Sequence, residues 1–175
     1  MRRYFKFKTG LLLMLVILLS ACDTRWQKYN NQEYGFSILL PGSWEKEEGV
    51  LKSVVMAMAP VKDKRAHKVR PNMNVFVTQL PEDVGLDVIF ELNKEELAKS
   101  GTAMTNQAEG EIYAGSLAGK WLSFEGFMRN YRLKIISALW VKGGRVYTVT
   151  CTSLAEESSQ YEPVFRKVLR SLRVK

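Results

Sequence analysis

The sequence is short of the residues that most chemistry needs. Its 175 residues include one histidine, His67, and two cysteines, Cys22 and Cys151. One histidine excludes a two- or three-histidine metal site. A Ser-His-Asp assembly would have to use His67, which lies in the charged stretch VKDKRAHKVRP and has no core strand to hold it. There is no Gly-rich phosphate loop: GSLAGK lacks a Ser or Thr after its lysine and follows no βαβ pattern. Glu45-Glu47-Glu48, Glu95-Glu96 and Glu156-Glu157 lack the aspartate-rich spacing of an EF-hand loop. They read instead as helix-start or helix-face acids. The sequence therefore points to no catalytic residue, no metal and no cofactor. Long apolar runs are missing too. The unbroken run Leu11 to Leu19 has nine residues, roughly 14 Å of helix against the ~30 Å of a membrane core.

That short run has informative neighbours. Arg2, Arg3, Lys6 and Lys8 precede it, and no acidic residue occurs before Asp23. A basic head, a short apolar core and a small-residue exit describe a secretory signal peptide. At its border, Leu19-Ser20-Ala21-Cys22 resembles the lipobox of bacterial lipoproteins. The resemblance implies that the Cys22 thiol receives a diacylglycerol, that residues 1–21 are cut away, and that the new amino terminus is acylated. Two or more acyl chains make a stable anchor where one does not. The alternative is a secreted protein with an incidental cysteine. Asp23 resembles the residue that retains enteric-type Gram-negative lipoproteins in the inner membrane.

Removing the signal changes the charge. The full chain has 26 Lys+Arg and 18 Asp+Glu; without the four basic residues of the head, 22 face 18, a net +4. This is too mild to indicate nucleic acid. The remaining 22–175 is the size of one domain. With Cys22 acylated, Cys151 stands alone and the domain folds without a disulfide. In RVYTVTCTSL it alternates with Val149 and Tyr147, as a small core hydrophobe does. A reactive thiol is the competing reading, but no histidine or cation activates it locally.

Residues 22–33, ending in the polar stretch DTRWQKYNNQE, read as a lipidated amino terminus and tether, and 34–175 as the domain. Eleven extended residues reach roughly 36–40 Å, which keeps the domain near the bilayer. From Tyr34 the pattern is mostly strand. YGFSILLP closes at Pro41-Gly42, VLKSVVMAMAP (50–60) reads as a long strand, and MNVFVTQLP alternates. Leu86, Ile89, Phe90, Asn93 and Leu97 then fall at helical spacing, with Gly101 as a stop. Strands resume through GEIYAGSLAGKWLSFEGF, with a turn at Gly115 to Gly119, and through YRLKIISALWVK and RVYTVTCTS, joined by Gly143-Gly144. A Gly-Gly pair supplies the positive φ of a primed hairpin turn. Phe165, Val168, Leu169 and Leu172 stripe a closing helix, with Pro163 expected in its first turn. About seven strands with a central and a terminal helix give an α+β fold, an antiparallel sheet flanked by helices.

YGFSILLPGSWEKEEG resembles the opening of PsbP-like and DcrB-like domains, and EPVFRKVLRSLRV is similar to their closing helix. The intervening MNVFV, GEIYAGSLAGKWL and GGRVYTVTCTS come in the same order, so the likeness covers Tyr34 to Val174. It implies an antiparallel sheet between helices. Bacterial members are often lipoproteins, and plant members assist the water-oxidising side of photosystem II. The shared residues are packing residues, so no activity is carried over.

One local feature remains. Lys62, Lys64, Arg65, Lys68 and Arg70 against Asp63 place +4 within nine residues. The simpler reading is a solvated hairpin loop; the functional reading is a contact for anionic lipid heads or an acidic protein partner, and a short tether is compatible with the lipid contact. The sequence thus leads to a membrane-anchored envelope lipoprotein on the extracytoplasmic side. It would act as a non-catalytic binding or assembly module for a membrane-associated protein complex. The alternative is a small-ligand binder or hydrolase using a pocket between sheet and helix.

Overall fold

The computed structural model describes residues 25–60, 69–80, 84–99 and 103–175. Their strands are β1 (Trp26–Asn31), β2 (Phe36–Pro41), β3 (Glu45–Glu48), β4 (Val55–Met58), β5 (Asn72–Gln79), β6 (Thr105–Ala114), β7 (Leu117–Met128), β8 (Tyr131–Lys142), β9 (Arg145–Leu154) and β10 (Arg173–Val174). The helices are α1 (Leu86–Lys99) and α2 (Ser158–Ser171). Seven strands form one antiparallel sheet in the order β3-β4-β5-β9-β8-β7-β6, and β1-β2-β10 form a second, smaller sheet. The expected α+β architecture is therefore present, with a three-stranded sheet added to it.

The large sheet is buried on both faces, and β8 shows why its strands are so apolar. Ile136, Ala138 and Trp140 join the core shared with α2 and the small sheet. On the other face, Ile135, Leu139 and Val141 join the core under α1. Alternate residues point to opposite faces, so a central strand between two layers reads as a nearly continuous apolar run. The edges behave differently. β3 is Glu-Lys-Glu-Glu with every residue exposed, and charge on an exposed edge discourages pairing with another chain.

α2 packs through Phe165, Val168 and Leu169, joined by Leu172 just after its end, each no more than 2 % exposed. Full burial contributes roughly 1.5–3 kcal/mol per large apolar side chain. Trp44 closes the same layer, edge-on to Phe165 at 6.2 Å and to Tyr161 at 6.3 Å. The hairpin at Gly143-Gly144 has φ of 58° and 69°, as the Gly-Gly pair requires.

Three expectations are corrected. Residues 26–31, read as tether, are β1, in full register with β2 from Trp26↔Pro41 to Asn31↔Phe36. Gln27, Lys28 and Asn30 face solvent while Tyr29 is buried and Trp26 half-buried against the core, so two aromatics carry the strand and no apolar alternation is visible. The long strand expected over 50–60 is split. Val50–Lys52 is a 3-10 turn with Leu51 and Lys52 at positive φ, and only Val55–Met58 pairs. Pro163 lies in the second turn of α2, because the helix begins at Ser158. β10 has only two residues, too few to show a period in the sequence. Gly101, His67 and residues 1–21 lie outside the described residues.

Candidate membrane-facing surface

The residues singled out in the sequence separate into three groups. Cys22 and the loop cations Lys62, Lys64, Arg65 and Lys68 lie outside the described residues. Arg70 is described, and its charge is engaged. The guanidinium donates to the Glu45 carboxylate at 2.8 Å and to the Ala59 carbonyl at 2.9 and 3.2 Å, and the side chain is only 18 % exposed. It ties the start of β3 to the end of β4. Cys151 is fully buried, and desolvation pushes its thiol far above the ordinary range. It is a protonated core residue.

A different surface collects around the start of the domain. The Arg25 carbonyl accepts a 2.5 Å bond from the Gly42 N–H. A Cβ on Gly42 would run into that same carbonyl oxygen, so this close approach requires glycine. Pro41-Gly42 therefore ends β2 and also pins the first strand. Trp26 follows, half-buried, with Lys167 Nζ 4.2 Å from its ring centroid.

Lys167 belongs to the solvent face of α2, with Arg166 and Arg170, all three exposed. From Pro163 to Arg170 the helix carries these three cations and no acid. Arg166 is partly neutralised by Glu162, one turn earlier, at 2.5 and 2.8 Å. Among the described residues, Lys167 and Arg170 make no salt bridge. Across the helix from Trp26 stands Trp121, with the Arg166 guanidinium 5.6 Å from its ring centroid. Its other side lies over Gly110 of β6, where a Cβ would approach the indole nitrogen to 3.0 Å. The result is a basic helix face between two half-buried tryptophans. The hollow beside it, about 350 Å³, is lined by Glu111, Tyr113, Trp121, Arg166 and Arg170. Periodicity marks this face only as the outside of an amphipathic helix, and the tryptophans that border it come from strands distant in sequence.

The opposite layer is organised by ion pairs. Lys94 meets Glu109 at 2.8 Å, and Lys120 meets Asp87, so α1 is tied to β6 and β7. Both ammonium groups lie 5.4 Å from the Phe90 ring centroid. The carboxylate contacts raise both lysine pKa values, the bond to Glu109 dominating for Lys94 and that to Asp87 for Lys120. Beyond these pairs, between α1 and the sheet, a cleft of about 380 Å³ is lined by Phe76, Asn93, Leu97, Ser137, Thr150 and neighbours. The Ser137 and Thr150 hydroxyls share a 3.1 Å hydrogen bond there. Among the described residues, no group of three or more His, Cys, Asp or Glu can hold a metal ion. No helix among them is long and apolar enough to cross a membrane.

These layers define a class: an antiparallel sheet flanked by one helix on each face, with a small accessory sheet. The chain has the PsbP-like fold. The solution structure of cyanobacterial PsbP (CyanoP) from Synechocystis matches with a TM-score of 0.64 and 14 % identity, over 87 % of this chain and 94 % of that one. LpqN of Mycobacterium tuberculosis, involved in cell envelope biogenesis, matches with a TM-score of 0.63 and 10 % identity, over 88 % and 94 %. The Saccharomyces cerevisiae Ran-binding protein Mog1p matches with a TM-score of 0.54 and 10 % identity, over 86 % and 96 %. No protein-family model and no curated protein sequence matches the chain.

Proposed function

We propose that this protein is a lipid-anchored envelope module without catalytic activity, which binds or assembles with a membrane-associated protein complex. The observation that carries this reading is the position of β1. The folded domain begins by Trp26, so Cys22, the cysteine of the lipobox-like stretch, precedes it by only four positions. An acyl group there would hold the domain directly against the bilayer. In an enteric-type envelope, Asp23 favours the inner membrane. The fold adds support, since LpqN is described as acting in cell envelope biogenesis and Mog1p as binding Ran.

The test is Cys22→Ser in the full chain. The unaltered protein is expected to take up labelled fatty acid and to fractionate with membranes. The variant is expected to lose the label and to retain the uncut leader. Unchanged labelling would overturn the anchored reading.

The cleft beside α1 favours a second reading, a small-ligand binder or hydrolase. Its apolar floor and paired hydroxyls suit a small, mostly apolar molecule. A compound released from natively purified protein, and lost on Leu97→Trp, would support this reading over the first.

A further inference from the structure

Resting on the anchored reading, we propose that the basic face of α2, between Trp26 and Trp121, docks on the anionic phospholipid heads of the membrane that holds the anchor. The position of the chain's start is the first argument. Arg25 lies three residues after Cys22, a reach of at most ~11 Å, and the next residue, Trp26, stacks on Lys167 of α2. The described surface nearest the anchor is therefore the α2 layer. The α1 layer lies on the other side of the large sheet.

Charge is the second argument. Lys167 and Arg170 are exposed and make no salt bridge among the described residues. Lys28 adds a cation two residues along β1 from Trp26, on the same side of the strand. Attraction of such cations to an anionic leaflet extends only about a Debye length, ~8–10 Å near physiological salt. A link of at most ~11 Å is comparable with that range, whereas the longer tether read from the sequence reaches several times as far. The bordering tryptophans have the amphipathic rings that settle at headgroup depth. Docking through α2 would turn α1 and its cleft away from the bilayer, toward the compartment where a protein partner can reach them.

The test uses the chain from Asp23 to Lys175, which lacks Cys22 and contains every described strand and helix. It is titrated at low salt with vesicles of phosphatidylcholine containing phosphatidylglycerol, and with phosphatidylcholine alone. Binding is expected only to the anionic vesicles and is expected to weaken as salt rises. Lys167→Glu with Arg170→Glu should weaken it about tenfold or more, with circular dichroism unchanged because both side chains are exposed. Lys99→Glu with Arg129→Glu makes the same change in net charge on α1 and at the β7–β8 tip, and should weaken it much less. Quenching of tryptophan fluorescence by brominated lipid should fall in a Trp26→Phe/Trp121→Phe variant. Equal losses in the two charge-reversed pairs, full binding by the α2 pair, or no binding by the unaltered chain would each overturn the proposal. Acylation is scored separately: a chain that takes no lipid yet binds vesicles through α2 fails the anchored reading and leaves this surface standing.

Discussion

Trp140 of β8 lies directly across from Gly119 of β7, and its fully buried indole occupies the space where a side chain on residue 119 would be. A Cβ there would meet the ring and would also lie 2.6 Å from the Leu139 carbonyl oxygen. One neighbour is a wedged core ring and the other is backbone, so neither can yield. Gly119→Ala is expected to destabilise the domain by about 1–3 kcal/mol, the range for overpacking a dense core. Gly110→Ala provides the comparison, because the half-buried Trp121 indole beside it can shift; its effect should be clearly smaller. Urea unfolding of the two variants decides the order. Pairing Gly119→Ala with Trp140→Leu should recover part of the loss, since residues in direct contact are not additive.

The amino-terminal boundary is open to a direct test by truncation. A chain starting at Asp23 keeps β1 and is expected to unfold at the same denaturant concentration as the longer protein. A chain starting at Tyr34, where composition places the domain boundary, loses buried Tyr29 and its ring contact with Phe36 at 5.9 Å. It also leaves β2 paired only with the two residues of β10. Removing one buried aromatic side chain costs about 3–5 kcal/mol, and the truncated chain should lose at least that much. Equal midpoints for the two chains would mean that β1 adds nothing to the fold.

Arg70 is expected to matter through geometry more than through charge. Arg70→Lys preserves the cation but cannot reproduce the fork that reaches both Ala59 and Glu45. A loss of about 1–2 kcal/mol is expected, given the typical value of hydrogen bonds to charged groups. Stability unchanged in Arg70→Lys would return this residue to the class of solvated loop cations.

Cys151 links stability to pH. Burial raises the folded-state pKa of its thiol well above the unfolded value of about 8.5. Below that value the thiol is protonated in both states and pH has no effect through it. Above it, the unfolded chain releases the proton and the folded one retains it, so stability falls as pH rises, by up to about 1.4 kcal/mol per unit. Cys151→Ala should show a shallower loss than the unaltered protein between about pH 8.5 and 10. In the native protein the thiol should react with a disulfide reagent only as fast as the domain opens.

The first layer of this organisation is legible because it is local. The strand periods, the Gly143-Gly144 turn and the apolar stripe of α2 all depend on neighbours in sequence, and local sterics and burial fix them. Cys151 was readable for the same reason: it alternates with Val149 and Tyr147, and the strand period carries it inward. β1 was not, because its stability comes from register with β2 and from one buried tyrosine, which leaves its other residues free to be polar. The role of Arg70 was hidden likewise, since Glu45 lies 25 residues away.

The sequence by itself determined a basic head and a short apolar run before Cys22, an α+β chain of alternating strands, and too few histidines for a multi-histidine metal site. Only the tertiary structure decided that residues 26–31 form a strand and which of the described charges are paired. Folding brings Trp26, Lys167, Arg166 and Trp121 onto one surface from β1, α2 and β7. In the same fold Arg70, which composition groups with the cations of residues 62–68, is drawn into a pair with Glu45. A charge count along the chain cannot separate these fates, because the energy of a charge depends on its neighbours in space.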